Sequence, residues 1–160
     1  MAIKIFLGSD HAGFKLKNIL LKYLTKLRFD CVDIGPFEYN SKDDYPDHII
    51  PTAEQVAKTR NSKGIIIGGS GQGEAICANK VKGIRAAIYY GGPSKIITLA
   101  KEHNNANILS IGARFVSEKK AKLMVKKWLN TSFSKEIRHE RRIRKIKRFE
   151  NDCCNNGGKR

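Results

Sequence analysis

Apolar runs of strand length recur along this chain, and between them apolar residues fall at three- and four-residue steps. Residues 3–7, 29–34, 64–67, 84–89 and 108–111 read as strands separated by helical segments. The first of these carries Phe14, Leu16, Ile19, Leu20, Tyr23, Leu24 and Leu27 at helical spacing. Further helices are expected over 47–59, 73–81 and 94–102, and Ser117 stands as an N-cap before one running through Val125, Trp128 and Leu129. A last helix over 134–150 sets Ile143, Ile146 and Phe149 on one stripe and is otherwise mostly charged. The polar segment 151–160 is expected to be a disordered tail. Five strands alternating with helices predict one α/β domain over 1–150, its sheet parallel and covered on both faces. The wholly apolar run 64–67 fits a strand buried on both sides. In such sheets crossovers are right-handed and ligands sit beyond the carboxyl ends of the strands.

Lys and Arg number 31 against 15 acidic residues, a formal net charge of +16. Residues 111–160 hold 16 of the basic side chains but 5 of the acidic ones, so the excess lies towards the C-terminus. A field of that sign favours anions: phosphorylated metabolites, nucleic acid or acidic membranes. A solvated lysine-rich surface has the same composition. No apolar run approaches the roughly 18–20 residues of a membrane span. Asp10 and His11 come too early for a signal-peptide core. Cys31, Cys77, Cys153 and Cys154 form no C-x-x-C pair, which fits neither a zinc site nor a secreted disulfide framework. A soluble cytoplasmic protein with reduced thiols, no metal and no membrane partner is expected.

Two loops stand at strand ends. Gly8-Ser9-Asp10-His11-Ala12-Gly13 follows the first strand, and Gly68-Gly69-Ser70-Gly71-Gln72-Gly73-Glu74 follows the third. Four glycines in six residues, between a buried strand and a helix, let backbone N–H groups converge on an anion. The loop lacks the Gly-Lys-Ser/Thr ending of a P-loop and the third glycine of a dinucleotide fingerprint. A tight turn with nothing bound is the plain alternative. Glu74, in the first helical turn, is either a dipole-stabilised surface acid or a base beside a site where negative charge develops. Asp10, His11 and the run Glu102-His103-Asn104-Asn105 add titratable and polar groups. A lone histidine is more often structural, yet imidazole is suited to proton transfer near neutral pH. Arg138 and Arg142, four apart on one helix face, can grip a phosphate. The basic stretch around them has no interleaved aromatics for base stacking, so no nucleic-acid partner is expected.

Several short motifs occur in a telling order: Gly8 to Gly13, Asp43-Asp44-Tyr45-Pro46, Gly68 to Glu74, Ala78-Asn79-Lys80, Gly83-Ile84-Arg85-Ala86, Glu102-His103-Asn104, Ile111-Gly112-Ala113-Arg114 and Arg138-His139-x-x-Arg142. From about residue 3 to 150 the chain resembles the type B ribose-5-phosphate isomerases, which are grouped with the galactose-6-phosphate isomerase subunits. The resemblance implies a three-layer α/β/α sandwich with a Rossmann-like five-stranded parallel sheet and an extra basic C-terminal helix. It implies a homodimer, or a dimer of dimers, with active sites shared across the interface. The implied reaction is metal-free and cofactor-free interconversion of D-ribose 5-phosphate and D-ribulose 5-phosphate through an enediolate. A galactose-6-phosphate isomerase subunit is the runner-up, and a non-catalytic phosphosugar or nucleic-acid binder is the rival from another class. Many members use a cysteine at the end of the third strand as base. Here that position is Gly68, and the chain resembles the branch with a glutamate at the start of the next helix, matched by Glu74. By the same resemblance His103 opens the furanose ring with help from Asp10 and Tyr45, and Ser70 or Asp10 moves the hydroxyl proton. Gly69, Gly71 and Gly73 belong to the oxyanion cradle, His11, Arg114, Arg138 and Arg142 bind phosphate, and Asn104 positions sugar hydroxyls. His103 follows a helix and precedes the last strand, at the far end of the sheet from Glu74, so His103, Arg138 and Arg142 are expected to serve a neighbour's site.

Overall fold

The protein, seen as a computed structural model, is described over residues 3–156. Its elements are β1 (Lys4–Ser9), α1 (Phe14–Lys26), β2 (Asp30–Gly35), α2 (Pro46–Lys58), β3 (Ser62–Gly68), α3 (Gln72–Ala78), β4 (Ala86–Tyr89), α4 (Lys95–Glu102), β5 (Ile108–Gly112), α5 (Glu118–Asn130) and α6 (Ile137–Asn156). All strands are parallel, in the order β2-β1-β3-β5-β4. This is the Rossmann-like three-layer arrangement that the alternation predicts.

Side chains alternate between two cores because successive strand residues point to opposite faces. Ile5, Leu7, Ile65, Ile67, Leu109 and Ile111 pack against α1, α4 and α5, whose buried residues include Leu20, Ile97, Met124 and Trp128. Phe6, Ile66 and Ile108 pack against Ile49, Ala53 and Val56 of α2 and Cys77 and Ala78 of α3. Ile65, Ile66 and Ile67 of β3 have no exposed surface, as expected of a central strand covered on both sides. Helix α1, which follows β1, lies on one face, whereas α3, which follows β3, lies on the other. The loops leaving these adjacent strands therefore diverge, and the crevice between them is the topological switch point.

Some boundaries differ from the sequence expectation. Helix α3 stops at Ala78 and β4 starts at Ala86 because Asn79 bonds the backbone of Ala86 in both directions, at 2.8 and 3.1 Å. The last helix begins at Ile137 rather than 134. Lys135 has a left-handed φ of 57°, and Ser134 donates to the Glu102 carbonyl through its N–H (3.2 Å) and its hydroxyl (2.8 Å). It also runs to Asn156, into the segment expected to be disordered, because the first strong helix breakers in the sequence are Gly157 and Gly158. Residues 157–160 lie outside the described residues. No helix among the described residues is long and apolar enough to cross a membrane.

Candidate active site

The two loops at the switch point come together as the sequence suggests. In the first, Asp10 is buried and its carboxylate accepts the Gly13 N–H at 2.8 Å. In the second, Gly71 takes φ +77°, a conformation open mainly to glycine, and so turns the chain into α3. The carbonyls of this loop are drawn towards the end of β5. Gly68 accepts from the Ala113 N–H (2.8 Å), Gly69 from the Arg114 N–H (3.1 Å) and Gly71 from Ser110 Oγ (2.6 Å). In a trans peptide the N–H opposes the carbonyl, so the N–H groups of Gly69 and Ser70 face away from β5. Ser70 is half-buried, and its Oγ accepts the Gln72 N–H at 3.3 Å.

Glu74 is 4% exposed, which is unusual for an acid in the first turn of a helix. Its carboxylate occupies the space beside Gly68, and any Cβ at position 68 would overlap it. Desolvation, reinforced by the charge of Asp10 and opposed by a hydrogen bond from its own backbone, raises the Glu74 carboxyl above the ordinary glutamate range. The same burial and the Glu74 charge push the Cys77 thiol up, which makes it a poor nucleophile.

Three further side chains reach this loop or its neighbour. Tyr45, at the start of α2, lays its ring against Gly73, with Cζ 3.1 Å from where a Cβ there would lie. Arg114 sets its guanidinium over Gly69, with Cζ 3.2 Å from the corresponding position. His11 donates from its backbone N–H (3.2 Å) to Asp43 Oδ1, and its ring Nδ1 lies 2.6 Å from the same oxygen. Thus Asp10, His11, Tyr45, Gly69, Ser70, Gly71, Gly73, Glu74 and Arg114 share the carboxyl end of the sheet.

His103, Asn104, Arg138 and Arg142 do not. His103 caps the end of α4, and the Asn104 carbonyl accepts from Arg85 Nε (3.1 Å) just before β4. Both therefore lie at the amino ends of β4 and β5, a strand length of roughly 16 Å from Glu74. Arg142 joins Asn104, Arg85 and Ile146 around a cavity of about 380 Å³ at that end, and Arg138 pairs with Glu136 at 2.8 Å.

Sequence reasoning assigns no role to three residues. Asp43 was visible only within its motif, since its partner lies 32 residues away. Ser110 looked like a strand residue, although its hydroxyl anchors Gly71. His139 is 1% exposed and bonded to Ser134 Oγ (2.9 Å), with its ring centroid 4.2 Å from that of His103. Burial, and then the neighbouring His103, hold the His139 ring below the ordinary histidine value. No group of three metal-ligating side chains occurs among the described residues.

Residues 5–146 match the ribose/galactose isomerase family. Ribose-5-phosphate isomerase B of Mycolicibacterium paratuberculosis is 40% identical over 148 residues, 92% of each chain. The probable ribose-5-phosphate isomerase B of Mycoplasma genitalium is 40% identical over 153 residues, covering 95% of this chain and 99% of that one. The crystal structure of the Mycoplasma genitalium ribose-5-phosphate isomerase B with bound ribulose-5-phosphate superposes with a TM-score of 0.88 at 39% identity, over 94% of this chain and 98% of that one. The Thermotoga maritima ribose 5-phosphate isomerase gives 0.85 at 37% identity, over 92% and 99%. With sequence and backbone matched over nearly their whole length, the chain belongs to the ribose/galactose isomerase family.

Proposed function

We propose that this protein interconverts D-ribose 5-phosphate and D-ribulose 5-phosphate, a step of the non-oxidative pentose phosphate pathway in the cytoplasm. The observation that carries the reading is the Glu74 carboxyl buried in the space at Gly68, beside an amide-rich loop. Support comes also from relatives and a solved structure bearing the corresponding names and ligand.

In this reading Glu74 removes the proton from C2 of the open aldose. The electron pair moves through C1–C2 to the carbonyl oxygen, and the N–H groups of the Gly69–Gly73 loop bind the resulting enediolate. Ser70 or Asp10 carries the proton from the C2 hydroxyl to the C1 oxygen, and Glu74 returns its proton to C1. A positioned donor contributes about 3–4 kcal/mol to such a transition state, and acid–base help roughly 10²–10⁴-fold. His103 opens the furanose, aided by Asp10 and Tyr45, and Asn104 orients hydroxyls. His11, Arg114, Arg138 and Arg142 hold the phosphate, whose binding fixes the reacting carbons. Because Glu74 and His103 lie at opposite ends of one sheet, a complete site draws on a second copy of the chain, and we read the protein as a homodimer.

The test is a coupled assay with ribose 5-phosphate on wild type and Glu74→Gln. The substitution should lower kcat by at least about 10²-fold while substrate binding survives. In wild type, kcat/KM should rise with pH through an ionisation above the ordinary glutamate range, and that limb should vanish in the variant. Turnover by Glu74→Gln at wild-type rate would overturn the assignment.

A further inference from the structure

Asp43 belongs to none of the roles above, yet it is bonded twice to one of the phosphate residues. It lies in the turn between β2 and α2, and its side chain is 6% exposed. A carboxylate only accepts, so the ring nitrogen 2.6 Å from Oδ1 must be His11 Nδ1–H. The backbone N–H of His11 ends on the same oxygen, which fixes both the main chain and the ring plane. The contact is as short as charge-assisted N–H···O bonds become. With Nδ1 committed, Nε2 is the nitrogen left to meet a ligand.

The other oxygen, Oδ2, is buried and accepts no hydrogen bond among the described residues. His48 Nε2 faces it at 3.7 Å. His48 is held by α2, where its carbonyl accepts from Thr52 Oγ1 at 2.7 Å. A buried carboxylate oxygen left without a donor destabilises a fold, and an amide here serves the same geometry with its NH₂ turned to His48. What an amide cannot supply is the negative charge beside the imidazole.

We infer that Asp43 is a positioning residue for His11, its charge and its single shared oxygen holding the proton on Nδ1 so that Nε2 faces the substrate phosphate and, with a second proton on the ring in the complex, donates to it as Nε2–H. The inference rests on the reading of His11 as a phosphate ligand. A merely structural acceptor is replaceable by asparagine, whereas a charge that orients and polarises the ring is not. Asp43→Asn should therefore keep or raise the melting temperature. It should raise KM for ribose 5-phosphate by roughly tenfold, the loss of one charge-assisted bond, and weaken inhibition by inorganic phosphate in parallel, with kcat moving far less. Asp43→Ala should raise KM further.

The chain has four histidines, so ¹⁵N-histidine spectra of the wild type hold four rings, and the signals missing from His11→Gln assign that of His11. His11 should show Nδ1–H, and an Nε2–H form with bare Nδ1 overturns the inference. So does Asp43→Asn with wild-type KM and phosphate inhibition while His11→Gln raises KM and weakens that inhibition. If His11→Gln itself leaves both at wild-type values, the phosphate reading is overturned.

Discussion

At position 68, a side chain and the Glu74 carboxyl compete for one volume. Gly68 cannot retreat, because its carbonyl is tied to Ala113 and its strand is paired with Gly112 of β5. A methyl group there must displace the carboxylate. Gly68→Ala is therefore expected to leave the fold intact and to lower kcat by about 10²-fold, the scale of a 1 Å misplacement of a reacting group. Ribose 5-phosphate turnover read beside the far-ultraviolet circular dichroism spectrum checks it. Lys101 is a second residue whose burial has a measurable consequence. It is 5% exposed, its Nζ lies 3.3 Å from the Ala106 carbonyl and 5.3 Å from the Trp128 ring centroid, and no carboxylate pairs with it among the described residues. Desolvation, and then the charges of Lys63 and Arg85, lower its pKa from 10.5 to about 8. Between those values the unfolded chain binds the proton and the folded chain does not, so stability climbs with pH across that window. The full change is about 3 kcal/mol, and below pH 8, where both states are protonated, the penalty is constant. Denaturant titrations from pH 7 to 11 should show this rise in wild type and lose it in Lys101→Met.

Elements were legible where the pattern is local. Strand β3 reads as a strand because its apolar run is short and ends in glycines, and α5 because Ser117 is an N-cap, its Oγ accepting the Lys120 N–H at 3.3 Å. Expectation and structure part where distant bonds decide, as with Asn79 on Ala86 and Ser134 on Glu102. Lys17 is another such case. An apolar stripe predicts α1, but nothing in its period says that this lysine is wholly buried. It is buried because Asp33 meets its ammonium at 2.6 and 2.8 Å and the Pro36 carbonyl at 2.7 Å, contacts supplied by β2 and the turn after it. The candidate site divides in the same way. The glycine loop, Glu74 and Asp10 announce themselves through residue type and spacing, whereas Asp43 and the Ser110 anchor act across the sheet and leave no periodic trace.

At the scale of the molecule, one chain holds two halves of the proposed machinery that it cannot bring together. The sheet separates Glu74 from His103, and α6, which carries Arg138 and Arg142, has little of its own chain upon it. Ile146 is 50% exposed and Phe149 70%, so the helix leaves its apolar stripe largely uncovered. A second copy that covers this stripe and lends His103 to the first resolves both features with one interface, as symmetric dimers do. Complementation is the direct consequence. Glu74→Gln and His103→Ala chains should each be close to inactive alone on ribose 5-phosphate. In a heterodimer of the two, one site gathers both lesions and the other gathers none. Random pairing of equal amounts makes about half the dimers mixed, each with one intact site, so co-expressed chains should recover about a quarter of wild-type activity. Tandem-tag purification of the mixed dimer should double that figure. If the purified heterodimer is as inactive as its parents, His103 does not serve its partner's site, and ring opening must be assigned to a group on the Glu74 side of the sheet.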